Sequence, residues 1–135
     1  MSRRGGRNSN RSNQIVDQIV RNADSLLKME DIENFIALSE QFGKFCARNN
    51  ISTSQIRAIF QVVKRLPESF ETSKNELNLL RPRLAYQRGR FPQLSSLTDV
   101  IDSLIKKVKN DETLKGFKQF FEAIIAYHKA YGGKD

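Results

Sequence analysis

The chain has no tryptophan, one cysteine and one histidine among its 135 residues, and each shortage removes a class of function. A lone thiol, Cys46, cannot form an internal disulfide, and one Cys with one His cannot supply the three or four side chains of a zinc site. The apolar runs are only a few residues long, so no stretch approaches the roughly 20 residues needed to cross a bilayer. The N-terminal residues are rich in Ser, Arg, Asn and Gly with no apolar run behind their charges, so no secretory signal is expected and the expected address is the cytoplasm. There is no GxxxxGK[ST] loop, and no set of acid–base groups or metal-binding carboxylates such as a nuclease or phosphotransferase needs. The one close acidic pair, Asp111–Glu112, falls at a helix start, where negative charge is favoured anyway. No catalytic residue, metal or cofactor is expected. His128 lies on an apolar helical face four residues after Ile124 and reads as a packed histidine, and Cys46 reads as core.

What is abundant is positive charge. Lys and Arg number 23 against 15 Asp and Glu, a net +8, which points to a polyanionic partner. The charge is uneven. Residues 1–14, 15–47, 48–90 and 91–135 carry net charges of +4, −3, +6 and +1, and every arginine lies at or before Arg90. The third block is therefore the candidate contact surface.

Residues 1–13 are too polar and charged to bury the area that would offset chain ordering, and are expected to form a disordered basic tail. From residue 14 onward the pattern is helical throughout. Ile15, Ile19, Leu26 and Leu27 mark a helix over about 14–28, and Ile32, Phe35, Ile36, Ser39, Phe42 and Cys46 mark another over about 31–48. Ser52 with Gln55 three residues later is a capping-box signature for a helix with Ile56, Ile59, Phe60 and Val63 inward, stopped at Pro67. Leu77, Leu80 and Leu84 form the stripe of a helix over about 72–87 that Pro82 should kink or split. Two strongly amphipathic helices follow, one over about 95–109 and one containing Leu114, Phe117, Phe121, Ile124, His128 and Tyr131, ended by Gly132 and Gly133. No segment alternates with period two. The expectation is an all-α fold, a single compact bundle of five to six helices spanning 14–135.

Some of the cations have an ordinary explanation. Lys44 and Arg48, Lys64 and Arg65, and the lysines at 106, 107 and 109 fall in last helical turns, where the macrodipole favours them. Arg57 sits near a helix start, where it does not. Arg81, Arg83, Arg88 and Arg90 crowd four guanidiniums around a proline and a glycine, a repulsion that phosphates would relieve through bidentate hydrogen bonds.

The string LRPRLAYQRGR at Leu80–Arg90 and the string FFEAIIAYHKAYGGKD at Phe120–Asp135 together resemble the two signature segments of the small subunit of type III-A CRISPR effector (Csm) complexes. The resemblance extends over about residues 30–135. It implies a non-catalytic helical bundle that stacks in several copies beside a backbone subunit carrying the guide RNA and lies along the target RNA, with signalling chemistry in a separate large subunit. Arg81, Arg88 and Arg90 carry over from the first signature as contacts to the guide–target duplex backbone. Lys44, Arg48, Arg57, Lys64 and Arg65 join them from helical faces, and Arg83 from the arginine cluster itself. Such a subunit must accept any target sequence, because guide pairing supplies specificity. Two rival readings are a helix-turn-helix DNA-binding protein using Ser52–Leu66 as its recognition helix, and a metal-free nuclease using His128.

Overall fold

A computed structural model describes residues 14–135, so the basic tail expected at residues 1–13 lies outside the described residues. Among the described residues there are seven α-helical segments, one 3-10 turn and no strand. The first apolar run is divided. Helix α1 spans residues 14–21 and α2 spans Ala23–Lys28. Between them Asn22, at φ −99° and ψ 11°, leaves the helical basin, although its carbonyl still accepts the Leu26 N–H at 2.8 Å. Met29 then closes α2 in the left-handed region, with φ 54°.

Side-chain caps open most of the helices that follow. Helix α3 (Ile32–Arg48) starts on the Asp31 carboxylate, which accepts the Asn34 N–H at 3.1 Å. Helix α4 (Thr53–Arg65) starts on the predicted capping box. The Ser52 hydroxyl accepts the Gln55 N–H and the Gln55 carboxamide accepts the Ser52 N–H, both at 3.0 Å, so two otherwise orphaned donors are satisfied. Leu66, forced extended before Pro67, ends it.

Helix α5 runs from Phe70 to Arg90, longer at both ends than its sequence suggests, and Pro82 neither splits nor ends it. The proline is exposed, and it removes the donor that would have reached the Asn78 carbonyl. Leu80 and Leu84 are buried on either side of it, and ion pairs of Arg81 and Arg88 to the next helix bracket it, so tertiary contacts carry the helix through. A 3-10 turn at Pro92–Leu94 leads into α6 (Ser95–Lys107). Helix α7 (Asp111–Ala130) opens on a second capping box, in which the Asn110 carboxamide accepts the Thr113 N–H at 2.8 Å and the Thr113 hydroxyl accepts the Asn110 N–H at 3.1 Å.

Helix α7 is the axis of the bundle, and α2, α3, α4, α5 and α6 all pack against it. Leu114, Phe117, Phe120, Phe121 and Ile124 along it are fully buried, and the phenyl rings interlock edge-on or tilted, Phe35 with Phe120 and Phe60 with Phe121 at centroid distances of 5.2 Å. Helix α2 lies so close to α7 that there is no room for a side chain at Gly116, where a methyl group would stand 1.8 Å from the Leu27 carbonyl oxygen. Among the described residues, no helix is long and apolar enough to cross a membrane.

Candidate nucleic-acid interface

Helix α5 turns three different faces outward from its axis. Leu77, Leu80 and Leu84 bury one. On the flank toward α6, Arg81 donates from Nε to Asp102 Oδ1 at 2.8 Å and Arg88 donates from an Nη to Asp99 Oδ1 at 3.0 Å. Asp102 also takes Lys106 Nζ at 3.4 Å. Partial burial of Asp102 raises the cost of its charge, but the hydrogen bonds and charges of Arg81 and Lys106 outweigh this and hold its carboxyl below the usual aspartate range. The repulsion expected among four clustered guanidiniums is therefore relieved within the chain for two of them. Arg81 and Arg88 join α5 to α6.

The opposite flank is unclaimed. At 100° per residue, Leu79, Arg83, Tyr86 and Arg90 fall within about 60° of arc. Leu79 and Tyr86 are each 64% exposed. Arg83 and Arg90 are exposed, and neither meets a carboxylate among the described residues; Arg90 lies over the Phe91 ring, 5.1 Å from its centroid. Arg83 also borders a groove of about 300 Å³ between α4 and α5, floored by Ile59, Val62, Leu80 and Leu84 and rimmed by Ser54, Gln55 and Gln87.

Helix α4 adds a second set of cations. Arg57 and Lys64, seven residues apart, share a face and line a groove of about 230 Å³ with Phe60, Gln61 and Glu122 of α7. Arg65, in the last turn of α4, is exposed. None of the three is ion-paired among the described residues. Lys44 and Arg48 stand apart from these at the end of α3. Lys44 is half-buried with its ammonium 5.3 Å from the centre of the Tyr131 ring, and the Tyr131 hydroxyl donates to Glu40 at 2.5 Å. That hydrogen bond, with some desolvation and the Glu40 charge, pushes the Tyr131 phenol up.

The histidine is occupied structurally. Its Nε2 lies 2.6 Å from the Ile51 carbonyl oxygen, which can only accept, so Nε2 carries the proton. Gly133 folds back over the ring, where a Cβ would stand 2.1 Å from Cε1. Its N–H donates to the His128 carbonyl at 2.8 Å, and the next residue's carbonyl accepts the Thr53 N–H at 2.7 Å. The imidazole is fully buried and has no path to a phosphodiester. Burial also pushes the Cys46 thiol far up, away from the thiolate a nucleophile needs. Among the described residues, no group of three His, Cys, Asp or Glu could hold a metal ion.

The two signature strings now have physical contents. The first builds the half of α5 that is latched to α6 on one flank and free on the other; the second builds the buried end of α7 and the strap over His128. A family profile described as Csm2 Type III-A matches residues 13–134, nearly the whole described chain. The chain belongs to the Csm2 family of type III-A CRISPR systems. It is 31% identical over 115 residues to the Streptococcus thermophilus protein named "CRISPR system Cms protein Csm2", an alignment covering 76% of this chain and 95% of that one. It is 28% identical over 97 residues to the protein of the same name from Enterococcus italicus, covering 62% and 69% of the two chains. No solved structure matches it. As a Csm small subunit, the chain is a component of a multi-subunit type III-A complex. Sequence reasoning about this Csm2-family member named the arginines but missed Asp99 and Asp102, whose place opposite Arg88 and Arg81 depends on how α6 packs. It also passed over Leu79 and Tyr86, whose one available signal is that they fall off the leucine stripe of α5.

Proposed function

We propose that this small subunit grips the phosphodiester backbone of RNA without reading sequence, contributing no chemistry of its own, and lies along the target strand paired to the guide RNA. The observation that carries the reading is the set of cations without carboxylate partners on α4 and α5: Arg57, Lys64, Arg65, Arg83 and Arg90. Unpaired guanidiniums at helical spacing suit phosphates, and each phosphate neutralised releases counterions. Arg81 and Arg88, on the opposite flank of α5, would meet phosphates there only by sharing or leaving their aspartates, and Lys44 and Arg48 would serve a separate contact at the α3 end. The partners proposed are the target and guide RNA, the guide-bearing and large subunits, and further copies of this chain, all in the cytoplasm.

The helix-turn-helix alternative fits less well. A recognition helix offers its first residues to the major groove, whereas the start of α4 is closed by the C-terminal strap, whose Lys134 carbonyl takes the Thr53 N–H. Competition gel shifts separate the two. Unrelated single-stranded RNAs should displace a labelled RNA with similar potency whatever their sequence, guide–target duplexes should compete as well, and duplex DNA should compete far less than either. Duplex DNA competing best, with one sequence preferred, would overturn the proposal in favour of DNA recognition.

A further inference from the structure

All twelve aromatic residues of the chain, nine Phe and three Tyr, lie among the described residues. Each Phe is buried or half-buried, most of them in the core around α7. Tyr127 is half-buried, and Tyr131 is engaged by Glu40 at its hydroxyl and by Lys44 over its ring. Tyr86 alone presents a ring with no partner among the described residues and most of its surface open.

Its neighbours are as telling as its exposure. Arg83 lies one turn before it and Arg90 one turn after it, on the same unclaimed flank of α5 and without carboxylate partners. Residues three and four apart on a helix stand about 5–6 Å from each other, so each guanidinium stem flanks the ring. The two arginines, seven residues apart, are separated by about 10 Å along the axis, a gap that their long side chains can close onto the phosphates on either side of a stacked base. An aromatic face between two free guanidiniums is the combination used to hold single-stranded nucleic acid, with cations following the backbone while a base stacks on the ring.

We propose that Tyr86 is a stacking platform for an unpaired RNA base, with Arg83 and Arg90 holding the phosphates on either side. The inference rests on the RNA-binding reading and adds to it: α5 distinguishes an unpaired nucleotide from a continuous duplex. Every base has a π face, so the contact is indifferent to sequence, as a subunit serving any target requires.

The test uses the full chain with a short single-stranded RNA carrying 2-aminopurine, whose fluorescence falls on stacking, and the matched RNA duplex as comparison. Tyr86→Leu keeps a good helix former at an exposed position and should leave the melting temperature unchanged. Its single-strand affinity should fall roughly 5- to 150-fold, with the quenching lost and the salt dependence retained, while duplex affinity stays the same. Tyr86→Phe should keep both affinity and quenching. If Tyr86→Leu binds and quenches as the wild type does while Arg83→Glu and Arg90→Glu weaken binding, stacking is refuted and the RNA-binding reading stands. If the wild-type chain shows no salt-dependent RNA binding, that reading fails first and the inference with it. If Tyr86→Leu leaves RNA binding intact but releases the chain from the other Csm subunits, the flank is a protein contact and the inference is overturned.

Discussion

Replacing Gly116 by alanine tests the tightest helix contact in the fold. In an isolated helix the change would help, because alanine is favoured over glycine by about 1 kcal/mol. Here the new methyl would stand 1.8 Å from the Leu27 carbonyl oxygen, 2.6 Å from its carbon and 3.0 Å from its Cα. Those are backbone atoms, so no rotamer change relieves the clash and α2 must move away from α7. Leu26 and Leu27, almost fully buried, would move with it. Overpacking of a well-filled core costs about 1–3 kcal/mol, and a rigid backbone obstacle places this case at the upper end. Set against the propensity gain, the net loss is about 2 kcal/mol, a fall in melting temperature on the order of 8 °C for a domain of this size. Gly89→Ala is the matched control. Nothing lies within 4 Å of its Cβ position in α5, so propensity acts alone and stability should rise by up to about 1 kcal/mol. Thermal and urea unfolding followed by circular dichroism reads both variants. A Gly116→Ala protein as stable as the wild type would refute the close approach of α2 to α7.

Gly133→Ala should lower the melting temperature and speed hydrogen exchange at the Thr53 amide, because the added methyl collides with the His128 ring and lifts the strap that accepts this N–H; unchanged exchange there would contradict the strap. Asp102 has a folded-state pKa below the ordinary aspartate value, so its contribution is present above that ordinary value, about 3.9, and is lost as pH falls through the lower folded value. Asp102→Asn should therefore unfold more easily than the wild type near neutral pH, by no more than about 1 kcal/mol for so exposed a pair, and lose less stability on acidification. Parallel stability curves between pH 6 and the acid limit would show that the Arg81–Asp102 pair contributes nothing.

Local chemistry made much of the fold legible. Ser52 and Gln55 announce α4 by spacing alone, Pro67 ends it, and the leucine, isoleucine and phenylalanine stripes identify the faces that α6 and α7 bury. The misreadings occur where distant parts of the chain decide. Pro82 resembles a helix breaker, but the buried leucines and the two ion pairs around it keep α5 whole. Asn22 interrupts the first apolar run with no glycine or proline to mark the place. Phe70 starts α5 because the Ser69 hydroxyl accepts the Thr72 N–H at 3.3 Å, a cap without the Glu or Gln that makes such caps conspicuous. At the candidate interface, sequence read the cations onto α4 and α5 but could not sort them into paired and unpaired members. Arg81 and Arg88 differ from Arg83 and Arg90 only by their angle around the helix, and that angle acquires meaning once α6 sets Asp102 and Asp99 opposite two of the four.

That sorting makes the central claim measurable. RNA affinity should be determined across a salt series for Arg83→Ala, Arg90→Ala and Arg88→Ala, with melting temperatures alongside. If the unclaimed flank of α5 neutralises phosphates, Arg83→Ala and Arg90→Ala should each reduce the log–log salt slope by about 0.7 to 0.9 and melt like the wild type. Arg88→Ala should keep its slope and lose a little stability with the Asp99 contact. Wild-type slopes for Arg83→Ala and Arg90→Ala, with the slope lost in Arg88→Ala instead, would contradict the account and put the RNA on the α6 side of the helix.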